Sequence, residues 1–357
     1  MRLMRRATGP AADFVSTFVE RRANRRRFLA SAAGFGFVAA RQAIGPGGIA
    51  VASAPSRSQP QAATPAFCYP IAAESGLPGD GFFPRHGFAV ENTWFLPGFW
   101  HAGEDWYATD GDTAGANVVA VAAGEVVFAG SDYPGRVVIV QHAPDLFSMS
   151  GHLGYDIPVS EGQAVERGDL LGTVLVRADA VPNHLHFEMR TFLTAPEVNG
   201  ATPRYGFACG VDCLPGPGYW PIDAPENPST MGWLNPTHVI NQRAYPDGVV
   251  PDGAEVVATG QTETAALWSA PEGAPDATRL GDLVLDPGSR FPLRAIDAGP
   301  EVSQGTSATS YHLWYQITPP DDEAAWVQAA VPSSFETGAD GRPSSVRFDF
   351  LLSATAD

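Results

Sequence analysis

His184-Leu185-His186-Phe187-Glu188-Met189-Arg190 reads as a β-strand carrying two imidazoles on one face. Side chains along a strand point alternately to opposite sides, so residues two apart look the same way, roughly 7 Å from one another. That separation is long for two groups sharing one task. It suits one metal ligand beside one group that acts on whatever the metal holds. Alone, the HxH pattern also fits two histidines that fell close together on a half-buried strand. Two upstream segments bear on the choice: Trp100-His101-Ala102-Gly103-Glu104-Asp105 and Ser150-Gly151-His152-Leu153. A His and a carboxylate four apart, next to Gly98 and Gly103, can bend round a single ion, and His186 would complete a set of two His and one Asp. Three protein ligands leave zinc the open position of a catalytic site. His152 and His184 then remain for protons and developing charge.

The intervening chain is patterned for strands. VVAVAAGEVVFAG (118–130) and RVVIVQH (136–142) are short β-branched runs separated by Asp132, Pro134 and Gly135, which argues for antiparallel pairing. PVSEGQAVERGDLLG (158–172) places Gly at turn spacing between Val and Leu anchors and reads as a hairpin-rich barrel edge. Biotinyl and lipoyl carrier domains share this texture, but they attach their cofactor to a Lys, and this chain has none. Tyr69–Trp100 is dense in Gly, Pro and aromatic residues, and His86 within it reads as a surface or loop histidine. His142 sits at a strand end, where a hydrogen bond to a catalytic group and a plain structural role fit equally. Glu188, two after His186, shares its face and fits either a partner for a histidine or a rim charge.

In their order, HAGED (101–105), GEVVFAG (124–130), VVIVQH (137–142), GHL (151–153), the 158–172 segment and HLHFEMR (184–190) resemble the lysostaphin-type zinc metallopeptidases, which cut peptides of bacterial cell walls. The resemblance covers about residues 85–240. It implies a mainly β protein: an antiparallel β-sheet, barrel-sandwich-like peptidase domain over 67–242. It implies one zinc held by His101, Asp105 and His186, with His184 as general base and His152 as second catalytic histidine. The implied partner is peptidoglycan: its cross-links or stem peptides would be the substrate. Two features depart from the family. Ser150 stands where relatives often carry Tyr, and the turn before His184, 173–183, lacks Gly, so substrate preference is affected while the metal set is intact. The alternative is a non-hydrolytic wall-binding or hydrolase-activating protein on the same fold, against which stands the full set of five residues. His238, beside Pro236 in the closing segment Trp233–Ile240, reads as structural.

The 39 acidic residues outweigh 22 basic ones for a formal charge of −17, and every basic residue is Arg. A surface of that sign disfavours nucleic acid and anionic lipid as partners. Asn24-Arg25-Arg26-Arg27-Phe28-Leu29-Ala30 looks like a twin-arginine export signal, with Ala52-Ser53-Ala54 as a cleavage pattern. Residues 1–54 are read as that signal and 55–66 as a linker; the apolar run Phe28–Ala40 is shorter than the roughly 20 residues of a membrane-spanning helix. Export to an oxidising compartment would let Cys209 and Cys213 pair with one another, or one of them with Cys68, leaving one thiol over. A second zinc site on Cys209 and Cys213 lacks further ligands nearby.

Beyond Tyr245-Pro246-Asp247-Gly248, short strands with Gly, Pro and Asp turns suggest a small β-barrel over 243–357. Its spacing resembles bacterial SH3-like domains. Trp268, Trp314 and Trp326 fit a binding groove or core packing, the latter favoured in so small a barrel. Val346–Leu351 alternates as one last strand.

Overall fold

Strand Leu185–Arg190 lies inside an eight-stranded antiparallel sheet. Across it the order is Phe82–His86, Glu104–Ala108, Leu185–Arg190, Leu146–Leu153, Gly135–Ala143, Gly124–Tyr133 and Ala164–Val165, with Trp233–Leu234 also pairing the end of Leu185–Arg190. The computed structural model describes residues 66–353 except 73–80, 92, 94, 134, 178–180, 195–196, 199–215, 217, 300–310, 321–322 and 333–342. The twin-arginine motif, Cys209 and Cys213 lie outside the described residues. Among those described, no helix is long and apolar enough to cross a membrane.

The protein is mainly β, as the pattern of short β-branched runs requires. The hairpin Gly124–Tyr133/Gly135–Ala143 shows why: Val126, Val138 and Val140 enter the main core, while Val137 and Ile139 join Phe147 and Met149 in a second cluster on the opposite face. Period-two alternation thus covers both faces of the sheet. Leu185–Arg190 is buried on both sides too, not half-buried. Leu185, Phe187 and Met189 enter the core, and His186, Glu188 and Arg190 are just as closed to solvent.

Helix Pro236–Ala244 comes directly after the strand Trp233–Leu234. Its start is written in the sequence: the Asn235 side chain accepts from the His238 N–H at 3.1 Å, and Pro236 occupies the first turn, where its missing N–H costs nothing.

The C-terminal part forms a seven-stranded sheet in the order Arg279–Val284, Thr264–Trp268, Ala325–Gln328, Leu313–Ile317, Arg290–Ala298, Glu255–Ala258 and Phe350–Ser353. The expected single strand over 346–351 is two. Val346–Phe348 pairs Ala330–Pro332, and Phe350–Ser353 pairs Glu255–Ala258, so the chain changes partners at buried Asp349. Trp314 is core, whereas Trp268 and Trp326 face one another across neighbouring strands and are half-buried. One hydrophobic cluster contains Phe88 and Phe187 from the N-terminal part together with Tyr311 and Phe348 from the C-terminal part. Cys68 is a free, buried thiol whose Sγ faces the Ala120 carbonyl, so neither pairing with it that the sequence left open is made.

Candidate active site

Register brings the site together. In the sheet His186 stands directly opposite Asp105 on one neighbour and Gly151, the residue before His152, on the other. His101 ends the short strand Phe99–His101 and Asp105 belongs to Glu104–Ala108, with Ala102 and Gly103 between them. Gly103 is required there. A Cβ at this position would run into the Phe187 carbonyl and lie 2.9 Å from Glu188 Cγ, so any side chain would push the HAGED turn off the central strand.

His101 Nε2, Asp105 Oδ1 and His186 Nδ1 form a triangle with sides of 3.2, 3.0 and 3.1 Å. Ligand atoms at zinc bond lengths of about 2.0–2.1 Å in a tetrahedral arrangement stand roughly 3.3 Å apart, so this donor set fits such an ion. The remaining nitrogens are spoken for. His101 Nδ1 donates to the Gly87 carbonyl at 3.1 Å, and His186 Nε2 donates to Glu188 Oε1 at 3.0 Å. Once His186 is neutral, as ligation requires, these bonds keep the ring protons on Nδ1 of His101 and Nε2 of His186 and turn Nε2 of His101 and Nδ1 of His186 toward the ion. Glu188 is therefore no rim charge. It is fully buried, and its other oxygen accepts from Arg190 Nη1 at 3.2 Å and Trp233 Nε1 at 2.8 Å.

Burial alone would raise the Asp105 carboxyl, but the neighbouring charges of His101 and His184 and hydrogen bonds from His101 and His186 hold it well below its ordinary range. For His186 burial disfavours the cation, yet hydrogen bonds to Asp105 and Glu188 and their charges outweigh it and raise the imidazole to about 9. His184 goes the other way. Burial lowers it, only partly offset by Asp105, so it is neutral near pH 7. Its Nδ1 donates to the Pro182 carbonyl at 2.8 Å, which leaves the Nε2 lone pair, 3.7 Å from Asp105 Oδ1, facing the triangle. Tyr107 stacks on the His184 ring with centroids 5.1 Å apart. His152 meets that ring edge-on at 4.7 Å and lies 6.1 Å from the ring of His186. His152 has φ 58, a left-handed backbone that a residue with a Cβ rarely adopts and that concentrates at functional sites.

Residues 100–200 match the family model described as Peptidase family M23. The match is confined to that segment. Among solved structures, the chain is similar to the antimicrobial peptidase lysostaphin from Staphylococcus simulans at 12% identity, over 80% of this chain and 100% of that one, with a TM-score of 0.31. The catalytic domain of the prophage-encoded M23 protein EnpA from Enterococcus faecalis matches at 23% identity over 35% of this chain and 88% of that one, TM-score 0.28. A zinc containing peptidase from Vibrio cholerae matches at 26% over 35% and 37%, TM-score 0.26. No curated protein matches the chain.

All five histidine and aspartate positions singled out in the sequence as site residues meet in one place. His86 is a correction. It is not a surface or loop residue but lies in the strand Phe82–His86, opposite Asp105, 2% exposed, with its ring edge-on to Tyr107. Burial pushes it down to about 3, against the pull of Asp105, so it is a neutral wall of the site. His142 stays outside, bonded to the Ala123 carbonyl at 3.0 Å and Ser148 Oγ at 2.9 Å, which makes it structural. His238 is buried in its helix, as a structural residue would be. Sequence reading missed Tyr107 and Gly87. Both contact a site histidine through the fold, and neither belongs to a motif.

Proposed function

We propose that the chain is an exported zinc endopeptidase that hydrolyses peptide cross-links or stem peptides of bacterial peptidoglycan. The observation that carries the reading is the buried triangle of His101, Asp105 and His186, with two further histidines beside it. His101, Asp105 and His186 would hold one zinc. When bound, zinc supplies Lewis acidity to the scissile carbonyl and makes hydroxide available near pH 7.

The rest falls to side chains of this chain. His184 Nε2 accepts the proton of the attacking water, a role supported by its neutral state and by Pro182, which fixes the other nitrogen as donor. His152, edge-on to His184, hydrogen-bonds the oxygen that gains charge or delivers a proton to the departing amine. Glu188 keeps His186 in the ligating tautomer. Export through the twin-arginine-like segment would bring this site to the wall, and the C-terminal β part, read as SH3-like, would travel with it.

Metal content of the purified full-length chain, measured with release of soluble fragments from purified peptidoglycan, tests the reading. One zinc per chain with new free amines, both lost in Asp105→Ala, is expected. A chain that takes up no metal after zinc supplementation yet binds the wall would overturn it in favour of a wall-binding adaptor. His184→Ala should abolish cleavage and keep the zinc; loss of both would make His184 a ligand.

A further inference from the structure

His101 is held by one short turn. After the strand Phe82–His86 the chain folds through Gly87–Val90, with Ala89 in the left-handed region at φ 55. The Ala89 N–H donates to the His101 carbonyl at 2.8 Å, the Val90 carbonyl accepts from the His101 N–H at 3.0 Å, and the Gly87 carbonyl accepts from His101 Nδ1 at 3.1 Å. Backbone and ring of this one histidine are therefore both set by where the turn lies.

The turn is gripped from the C-terminal part of the chain. The Gly87 N–H donates to Ser345 Oγ at 2.9 Å, and the Phe88 N–H donates to the Tyr311 hydroxyl. Tyr311 in turn donates to Glu104, the neighbour of Asp105, whose carboxylate also accepts from Thr237 Oγ1 at 2.6 Å and Trp106 Nε1 at 3.2 Å. The Ser345 N–H adds a bond to the Arg85 carbonyl at 2.9 Å. Tyr311 comes so close that a Cβ on residue 87 would sit 2.7 Å from its hydroxyl and 2.8 Å from its ring, so Gly87 is the residue that admits it. Tyr311 is fully buried, edge-on to Phe348 and 6.3 Å from the ring of His238.

We propose that Tyr311 and Ser345 are positioning residues for His101: the C-terminal part of the chain, through these two hydroxyls, sets the Gly87–Phe88 backbone and so the tautomer and direction of a metal-ligating ring. On this reading the C-terminal part is a built-in brace of the metal site and not an appended module alone. The proposal rests on the reading of His101 as a zinc ligand, and its test has one arm independent of zinc.

Tyr311→Phe removes one oxygen and keeps the ring; Ser345→Ala does the same on the other side. Tyr315→Phe is the matched control, since it also deletes a buried hydroxyl of the same strand region, one bonded to Asn241 Oδ1 at 2.8 Å and facing Tyr69. In the ion-free full chain, nitrogen-15 NMR of the histidine rings is expected to give His101 as the Nδ1–H tautomer, and a mixed tautomer in Tyr311→Phe and Ser345→Ala. Zinc titration against a chromophoric chelator, far below the melting temperature, is expected to show dissociation constants raised about tenfold in both variants, the low end for groups that orient ligating histidines. Tyr315→Phe should lose melting temperature without moving either readout. Equal tautomer signals and equal zinc affinity in the wild type and both variants would overturn the proposal, whatever happens to stability. A flat wild-type zinc titration would instead strike the metal reading itself, and the tautomer comparison would still decide whether Tyr311 and Ser345 position His101. Should Tyr311→Phe fail to fold, Ser345→Ala carries both measurements.

Discussion

Replacing Glu188 by Gln should weaken zinc binding far more than its size suggests. The carboxylate is fully buried and its two oxygens serve different donors: Oε1 takes the His186 Nε2–H at 3.0 Å, and Oε2 takes Arg190 Nη1 at 3.2 Å and Trp233 Nε1 at 2.8 Å. An amide has one oxygen to offer. If it faces Arg190 and Trp233, the NH2 group confronts His186 Nε2, and the neutral imidazole that ligation requires would keep its one proton on Nδ1. That is the atom 3.0 Å from Asp105 and 3.1 Å from His101, so the ligating lone pair is lost. Changes to such orienting partners cost roughly 10–100-fold in metal affinity, and the one mismatched hydrogen bond costs about 1–3 kcal/mol of stability. Glu188→Ala should cost about 3–5 kcal/mol, because Arg190 then loses its carboxylate in a closed interior. Zinc competition titration and denaturant unfolding of the ion-free chain measure the two effects separately. Wild-type zinc affinity in Glu188→Gln, alongside reduced stability, would refute the tautomer mechanism and leave Glu188 as a packing residue.

Three further outcomes are expected from the same structure. Burial raises the Asp349 carboxyl to about 6 despite its bonds from Arg347, so the folded chain holds a proton there that the unfolded chain has released between about pH 4 and 6. Stability should fall as pH rises through that window, by about 3 kcal/mol from this group; unfolding curves at pH 4 and 7 should show the slope reduced in Asp349→Asn, and an unchanged slope would count against it. Zinc uptake at pH 7 should release about one proton, because His186 is protonated up to about 9 in the ion-free chain and must be neutral to ligate; calorimetric heats identical in buffers of different ionisation enthalpy would contradict this. Gly103→Ala should destabilise the chain by about 1–3 kcal/mol and weaken zinc binding together, since the new Cβ meets the Phe187 carbonyl. Wild-type midpoint and affinity would show that the strands can separate without cost.

What was legible in the sequence is what short range determines. HLHFEMR reads as a strand because its period is local, and Asn235-Pro236 announces a helix start because capping is local. The HAGED, GHL and HLH segments could be joined in advance only through resemblance. Their physical junction is a register, His186 opposite Asp105 and Gly151, that no segment contains by itself. His86 shows the limit. Amid Gly, Pro and aromatics it has the surroundings of a loop residue, yet pairing with Glu104–Ala108 turns Phe82–His86 into a buried strand. Partner strands override local texture in this way wherever burial comes from distant chain.

Tyr311 is the extreme case. It lies 223 residues from Phe88, whose N–H it accepts, in a stretch read from sequence as part of a separate barrel. A phenol hydroxyl buried to 0% exposure needs partners, but a sequence gives the need without the address. The structure supplies it: Phe88 N–H on one side and the Glu104 carboxylate on the other, both one step from a site residue. Glu104 ties this to the helix as well, through Thr237, so strand, helix and the C-terminal part of the chain meet on one buried carboxylate. A polar network so enclosed is stable only when every member is satisfied. Displacing Tyr311 and Ser345 would therefore unsatisfy Glu104, the neighbour of Asp105, and the turn that holds His101 at once, and the metal triangle cannot be indifferent to it.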